Sequence, residues 1–274
     1  MARTLKTGRL FAAILQFAVF VIYMFPLFWI VITSLNHDIN SLAKPPVLFS
    51  ELTLENYKNV FNSMGLTQKF ENSVIIASVS SLVALITGVP AAYVLSRFKF
   101  KGNRFLYFSF LIARITPVMS IVLPIYIFAR LVHLYDTLFL MIAVNFATNI
   151  AWAVWMMKTF FDDIPKSIDE AALSDGCGKM SCLFRIILPL SLPGLFATSI
   201  FCIIESWNEY LFTLVLTAIR APNLIAILNT FISVYGIKWG QMCAASCMIM
   251  LPVFCFVIFA QRYIIKGFSI GSIN

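Results

Sequence analysis

Charge is what this sequence has least of. Only 12% of its 274 residues are Asp, Glu, Lys or Arg, while 61% are hydrophobic; an ordinary soluble domain carries about 25% charged residues. The shortage excludes a water-soluble domain of this size and leaves a polytopic membrane protein. Histidine is nearly absent: His37 and His133 are the two present and lie far apart in sequence, so a Cys/His metal site is not expected. The six cysteines support no disulfide framework. Cys177 and Cys182 fall in a polar segment placed on the inner side, and Cys202, Cys243, Cys247 and Cys255 fall in apolar runs, so free thiols are the expected state. No G-x-x-x-x-G-K loop closed by Ser or Thr occurs, and no H-E-x-x-H or G-x-S-x-G. The chain therefore shows no enzyme's constellation, and any energy for its work must come from another subunit. An internal repeat is also missing, which counts against a self-contained secondary transporter built from inverted halves.

What is abundant is long apolar sequence. A bilayer core of about 30 Å needs about 20 residues of helix, and six windows meet that length: residues 10–33, 72–96, 105–128, 137–157, 192–218 and 241–260. The apolar run after Met1 to Arg9 is longer than the core of a signal peptide and lacks a small-x-small cleavage site, so it reads as an uncleaved first span. The expectation is an all-α membrane protein with six transmembrane helices in a single transmembrane domain, 1–274. The formal charge of +8 is carried by short basic clusters beside the apolar runs. Membrane topology explains that placement better than nucleic acid, and no nucleic-acid partner is expected. With the N-terminus inside, thirteen Lys and Arg fall on the inner side and six outside, with Arg114 left in a span. Both termini are therefore expected in the cytoplasm. The first outside loop carries Lys44-Pro45-Pro46 and an amphipathic run from Leu54 to Phe61, suited to the membrane surface or a partner. Pro26, Pro90, Pro117, Pro124 and Pro252 lie inside the windows, where each removes a backbone donor and favours a kink.

Two features carry chemistry. The first is a polar interruption from Ser167 to Pro189. Ser167 and Glu170 have capping-box spacing, so a helix is expected to start there. Asp175-Gly176 supplies its end, since Gly takes positive φ without a Cβ clash. A second helical run, Lys179 to Leu188, is expected to stop before Pro189. Small Ala171 and Ala172 let another surface approach, which suits either a docking knob or an ordinary connecting turn. The second feature is three ionisable side chains inside apolar windows: Arg114, Glu205 and Glu209. Each costs roughly 2.5 to 3.5 kcal/mol near the bilayer centre and should face protein or water. Glu205, Asn208, Glu209 and Phe212 are spaced i, i+3, i+4, i+7, so one helix face is expected to carry them. At ~1.5 Å per residue Arg114 lies about 13 Å deep, Glu205 about 20 Å and Glu209 about 26 Å. Arg114 is thus within reach of Glu205. The cluster reads as the polar lining or gate of a translocation path, or as a buried structural ion pair.

Glu170-Ala171-Ala172, Gly176, Ile186 and Leu188-Pro189 match without gaps the EAA signature of membrane subunits of bacterial ABC importers. Ala91-Ala92-Tyr93 with Ser96-Arg97-Phe98, Trp207-Asn208-Glu209, Trp239-Gly240-Gln241 and Leu251-Pro252 further resemble the carbohydrate-importer branch, in particular its MalG-type permeases. The resemblance implies a type I ABC importer permease fold in the bacterial inner membrane. It also implies a second, MalF-type permease, two ATPase subunits that hold the ATP and Mg, and an extracytoplasmic sugar-binding protein, with no cofactor on this chain. Residues 167–189 then form the coupling segment, with Glu170, Ala171, Ala172, Asp175, Gly176, Ile186, Leu188 and Pro189 as its ATPase-coupling residues. Arg114, Glu205, Asn208 and Glu209 fall on the path or gate. The alternatives are an ABC permease for a non-sugar solute and an ion-coupled transporter acting alone.

Overall fold

A computed structural model describes residues 2–37, 52–62, 65–234 and 236–270; Lys44-Pro45-Pro46 and the last four residues lie outside them. The chain is helical almost throughout. Its helices are α1 (Ala2–Leu35), α2 (Glu55–Phe61), α3 (Leu66–Arg97), α4 (Asn103–Ile115), α5 (Val118–Leu131), α6 (Leu138–Asp162) and α7 (Lys166–Ser174). They continue with α8 (Lys179–Leu190), α9 (Leu192–Trp207), α10 (Leu211–Leu216) and α11 (Trp239–Ile270). A 3-10 turn, Leu224–Phe231, leads to a two-strand hairpin, β1 (Ile232–Ser233) and β2 (Gly236–Ile237), paired antiparallel. Among the described residues four helices are long and apolar enough to cross a membrane: Ala12–Leu35, Leu66–Arg97, Leu138–Asp162 and Trp239–Ile258. Two bent pairs, α4 with α5 (91°) and α8 with α9 (84°), raise the number to six if each is one span.

The first bend falls at Pro117, one of the prolines expected to kink a span, and divides the window at 105–128; the second falls at Ser191, just before the window at 192–218. Thr116 is extended (ψ 122°) and Pro117 opens α5 with φ −62°. A residue before proline is driven out of the helical region, and proline itself is well placed to begin a helix. At the second bend Ser191 (φ −98°, ψ 14°) precedes α9, and Pro193 stands in its first turn, where the missing N–H costs nothing. Pro26, Pro90, Pro124 and Pro252 remain inside helices. A third interruption, Asn208 to Tyr210, ends α9 before the short α10 begins.

The chain divides into two compact units. One contains residues 1–66 and 227–251. Here the amphipathic run expected at Leu54 to Phe61 forms α2, tied to the end of α1. Asn56 Nδ2 donates to the Ser34 and Asn36 carbonyls (3.0 and 2.7 Å), the Ser34 and Tyr57 hydroxyls are 2.8 Å apart, and the Thr53 N–H donates to the Leu35 carbonyl (2.7 Å).

The other unit, residues 67–226 and 252–274, holds two apolar clusters. Ile76, Val122, Met141, Val144, Phe212 and Leu216 form one; Val89, Tyr93, Met157, Phe161, Leu183 and Ile187 form the other. A buried polar layer crosses the same helices. Asn149 Nδ2 donates to Ser206 Oγ (2.7 Å), which lies 3.0 Å from Ser80 Oγ, so α3, α6 and α9 are hydrogen-bonded side chain to side chain. In lipid such groups need internal partners, which water does not supply. Close approach at one crossing is set by Gly194, where an added Cβ would overlap the Phe160 ring.

Asp136 clasps the loop that follows α10. Its carboxylate accepts from the backbone N–H groups of Ala218, Ile219, Arg220 and Ala221 at 2.9 to 3.2 Å. Asn72 Nδ2 donates to the Arg220 and Pro222 carbonyls of the same loop (3.1 and 2.9 Å). Burial is the largest single influence on Asp136 and raises its pKa, but the four N–H donors together outweigh it and hold the group below the ordinary aspartate value. A depressed carboxylate stabilises the fold above its unfolded pKa of about 3.9, and the contribution is lost as pH falls through the lower folded value. Hydrogen exchange at the 218–221 amides should stay slow down to about pH 4 and accelerate below it; Asp136→Asn should make exchange fast already at neutral pH. Gly194→Ala should lower stability by about 1–3 kcal/mol through overpacking, read by thermal unfolding in detergent.

Candidate functional site

The Ser167 to Pro189 segment forms the expected helix, turn and helix, built differently at each end. α7 begins at Lys166, behind Pro165 (φ −57°, ψ 133°), with no side-chain cap. The capping box is therefore absent: Ser167 lies inside the first turn, because the proline one step earlier already directs the chain into the helix. Gly176 has φ +82°, as the sequence requires. The Gly176 N–H donates to the Leu173 carbonyl (3.1 Å) and the Cys177 N–H to the Ala172 carbonyl (3.0 Å), the two bonds of a Schellman ending. The second helix does not stop before Pro189. It runs to Leu190 through a π turn at Leu183–Ile187, whose wider winding relieves the clash and missing N–H that a proline brings to an α turn.

What holds α7 in place is a buried ion pair. Arg97 Nε, at the end of α3, lies 2.9 Å from Asp169 Oδ2, with side-chain exposures of 4% and 9%. The Tyr93 hydroxyl donates to Asp169 Oδ1 (2.9 Å), and Arg97 Nη2 donates to the Ile164 carbonyl (3.0 Å). Ser96 Oγ donates to Asp162 Oδ1 (2.6 Å), and Asp162 also pairs with Lys158. The end of α3 is thus bonded both to the back of α7 and to the end of α6. Asp169 and Ala172, three residues apart, form its inner face, and Ala172 packs in the chain's own core with Val89, Ala92 and Tyr93. Glu170, Ala171, Leu173 and Ser174 point outward and are exposed, as are Asp175 and Gly176. Of the residues singled out from sequence, Ala172 is therefore on the packed side, and Glu170 and Ala171 are on the side open to a partner. Ile186 and Leu188 are half-buried, and Pro189 is exposed. Arg97 and Asp169 carry the anchoring, and neither stood out as a site residue. The available signal was Asp169's helical spacing from Ala172 and an Arg at the foot of a span, where a charge leaving the membrane needs a partner.

The second group separates. α9 ends at Trp207, so Glu205, Asn208, Glu209 and Phe212 do not share one helix face. Glu209 caps α10: its carboxylate accepts from the Phe212 N–H (2.7 Å), the Thr213 N–H (3.1 Å) and the Thr213 hydroxyl (3.3 Å). Asn208 is the exposed C-cap of α9. Arg114 and Glu205 are both exposed and influence each other electrostatically, yet among the described residues no ion pair joins them. The Arg114 guanidinium lies over the Trp152 ring instead, with Trp155 6.0 Å away. Three or more His, Cys, Asp or Glu placed to hold a metal are not found among the described residues.

A multi-pass helical membrane protein with a short braced helix between its spans and charged side chains exposed on them fits the architecture of a transport permease. The chain belongs to the family described as binding-protein-dependent transport system inner membrane component, whose model matches residues 84–268. It is 35% identical over 253 residues to a probable ABC transporter permease protein, y4oR, of Sinorhizobium fredii, covering 92% of this chain and 91% of that one. It is 31% identical to the trehalose/maltose transport system permease protein MalG of Thermococcus litoralis, covering 93% and 92%. Among solved structures, a bacterial ABC transporter involved in the import of the acidic polysaccharide alginate is similar with a TM-score of 0.76 at 21% identity, over 94% of this chain and 96% of that one.

Removing one partner of a buried pair costs about 3–5 kcal/mol, because the other charge is left uncompensated. Asp169→Asn should therefore loosen α7, seen as faster hydrogen exchange at 166–175 and a lower unfolding temperature. The double change Arg97→Met with Asp169→Leu should recover most of that loss. Equal loss in both variants would show that the ion pair is not the anchor.

Proposed function

We propose that this chain is one of two homologous permeases in an ATP-driven importer of carbohydrate, with α7 as the helix through which a separate ATPase subunit drives it. The observation that carries the proposal is the split of α7 into a bonded inner face and an exposed outer one: Glu170, Ala171, Leu173 and Ser174 are free to seat in a partner while Asp169 is locked to Arg97. Force applied to such a helix passes directly to α3, and through it to α6, because the buried bonds to Arg97 and Tyr93 leave it no independent travel. The family match supports the importer class, and the trehalose/maltose relative supports carbohydrate as cargo.

In this reading α7 and both termini face the cytoplasm of a bacterial inner membrane. Two ATPase subunits bind ATP and Mg below the permease pair, a MalF-type partner completes the path, and a sugar-loaded binding protein docks outside. Closure of the ATPases on ATP shifts the equilibrium of the bundle toward an outward-open state, and hydrolysis resets it. Asp175 and Gly176 terminate the lever, and the π turn with Ile186, Leu188 and Pro189 joins it to α9. Arg114, Glu205, Asn208 and Glu209 border the path.

Glu170→Lys should abolish sugar uptake while the protein remains in the membrane, because it reverses a charge on the exposed face without touching the Asp169 anchor. Uptake in membrane vesicles and co-purification of the ATPase are the measurements. Normal uptake with the ATPase still bound would remove α7 from the coupling role.

A further inference from the structure

We propose that Trp155, Arg114 and Glu205 form a sugar-contacting subsite on this chain's own wall of the path, one that takes a pyranose ring. The inference rests on the carbohydrate-permease reading above. Three helices bring the group together. Arg114 stands in the last turn of α4, Trp152 and Trp155 lie one turn apart on α6, and Phe201 and Glu205 lie one turn apart on α9. Trp152 is the hub. Its ring carries the Arg114 guanidinium on its face, meets Phe201 at 4.1 Å between centroids and meets Trp155 at 5.8 Å.

Three observations point to a polar ligand. First, Arg114 and Glu205 are exposed near the ends of α4 and α9, each inside a bent helix pair that has the length and apolarity of a span when taken together, and a charge within such a span must face protein or a water-filled cavity rather than lipid. Second, opposite charges in a poorly screened space attract strongly, yet these two are not in contact. Among the described residues no hydrogen bond engages either head group, and Trp152 holds the guanidinium aside with its N–H edges open. Third, α4 breaks by 91° immediately after Arg114, at Thr116 and Pro117. Broken helices at membrane depth are tolerated where they are buried in protein or line a wet cavity, and Pro117 is exposed.

The chemistry of the three groups selects the ligand. A pyranose has an apolar C–H face and a rim of hydroxyls. Trp155, 39% exposed, offers a flat apolar face with an indole N–H at its edge. Glu205 accepts from hydroxyls, and Arg114 donates to them. An aromatic platform with a few convergent polar groups is the usual make-up of a small-molecule site. An inorganic ion would have no use for the platform, and a lipid tail no use for the charges.

The test uses the complete transporter, with its partner permease, ATPases and binding protein, in nanodiscs for binding and in vesicles for uptake. Maltose, trehalose and diacetylchitobiose serve as probes. Saturation-transfer NMR without the binding protein should detect the transported sugar on the native assembly. Trp155→Ala should weaken that signal and slow uptake by about tenfold, Glu205→Gln should weaken both less, and Trp155→Phe, which keeps a platform, should restore most of each. Native-like binding and uptake by Trp155→Ala would overturn the subsite and leave the permease reading standing. Loss of the partner permease from the Trp155→Ala assembly on gel filtration would overturn it too, by making Trp155 an interface residue. Absence of ATP-dependent uptake of every probe by the native assembly would instead count against carbohydrate as cargo, and the subsite would fall with it.

Discussion

The buried pair between Arg97 and Asp169 is the constraint on which the functional geometry depends. Two full charges, each less than a tenth exposed, are weak evidence of net stability because desolvation offsets much of their attraction. Their value lies in direction. A short helix on a loop has few contacts of its own, and nine residues are too few to be stably helical alone. The ion pair, the Tyr93 hydroxyl and the Arg97 bond to Ile164 choose one orientation for it and turn Glu170 outward. A hydrophobic contact of similar strength would permit more sliding, since apolar packing is not directional.

The same division recurs through the larger unit. Apolar clusters occupy two levels of it, and the Ser80, Asn149 and Ser206 layer ties three of its helices by hydrogen bonds. Apolar surface gains little from helix association when lipid is equally apolar, so specific polar bonds and close small-residue contacts such as Gly194 on Phe160 set which faces meet. Where polar groups are not used up in this way, as at Arg114 and Glu205, they stand on an open face.

Breaks in the helices are placed with equal economy. Pro117 and Pro193 turn the chain at α4–α5 and α8–α9, and Glu209 supplies the cap for α10 that its own first turn lacks. An acidic side chain deep in an apolar window is expensive unless it has partners. Two backbone N–H groups and a hydroxyl give Glu209 those partners.

Much of the protein was legible without coordinates. Apolar windows of bilayer length, the end of α7 at Asp175 and Gly176, the amphipathic α2 and the helix, turn and helix of 167–189 all follow from local rules, because span length, positive φ and helical periodicity are properties of short stretches. Long-range matters were not legible. The i, i+3, i+4 spacing from Glu205 to Phe212 suggested one helix face, and nothing local announced that α9 would stop at Trp207. Ser167 and Glu170 had the spacing of a capping box, but Pro165 had already begun the helix. Arg97 and Asp169 are 72 positions apart, and Arg114 and Trp152 come from different helices. Which charge meets which partner is decided by how helices pack across the chain, and sequence alone does not encode that distance. By itself the sequence determined the membrane environment and the short polar helix that ends at Gly176; only tertiary packing decided that Asp169 is its anchor, that Ala172 faces inward and that Arg114 rests on a tryptophan instead of a glutamate.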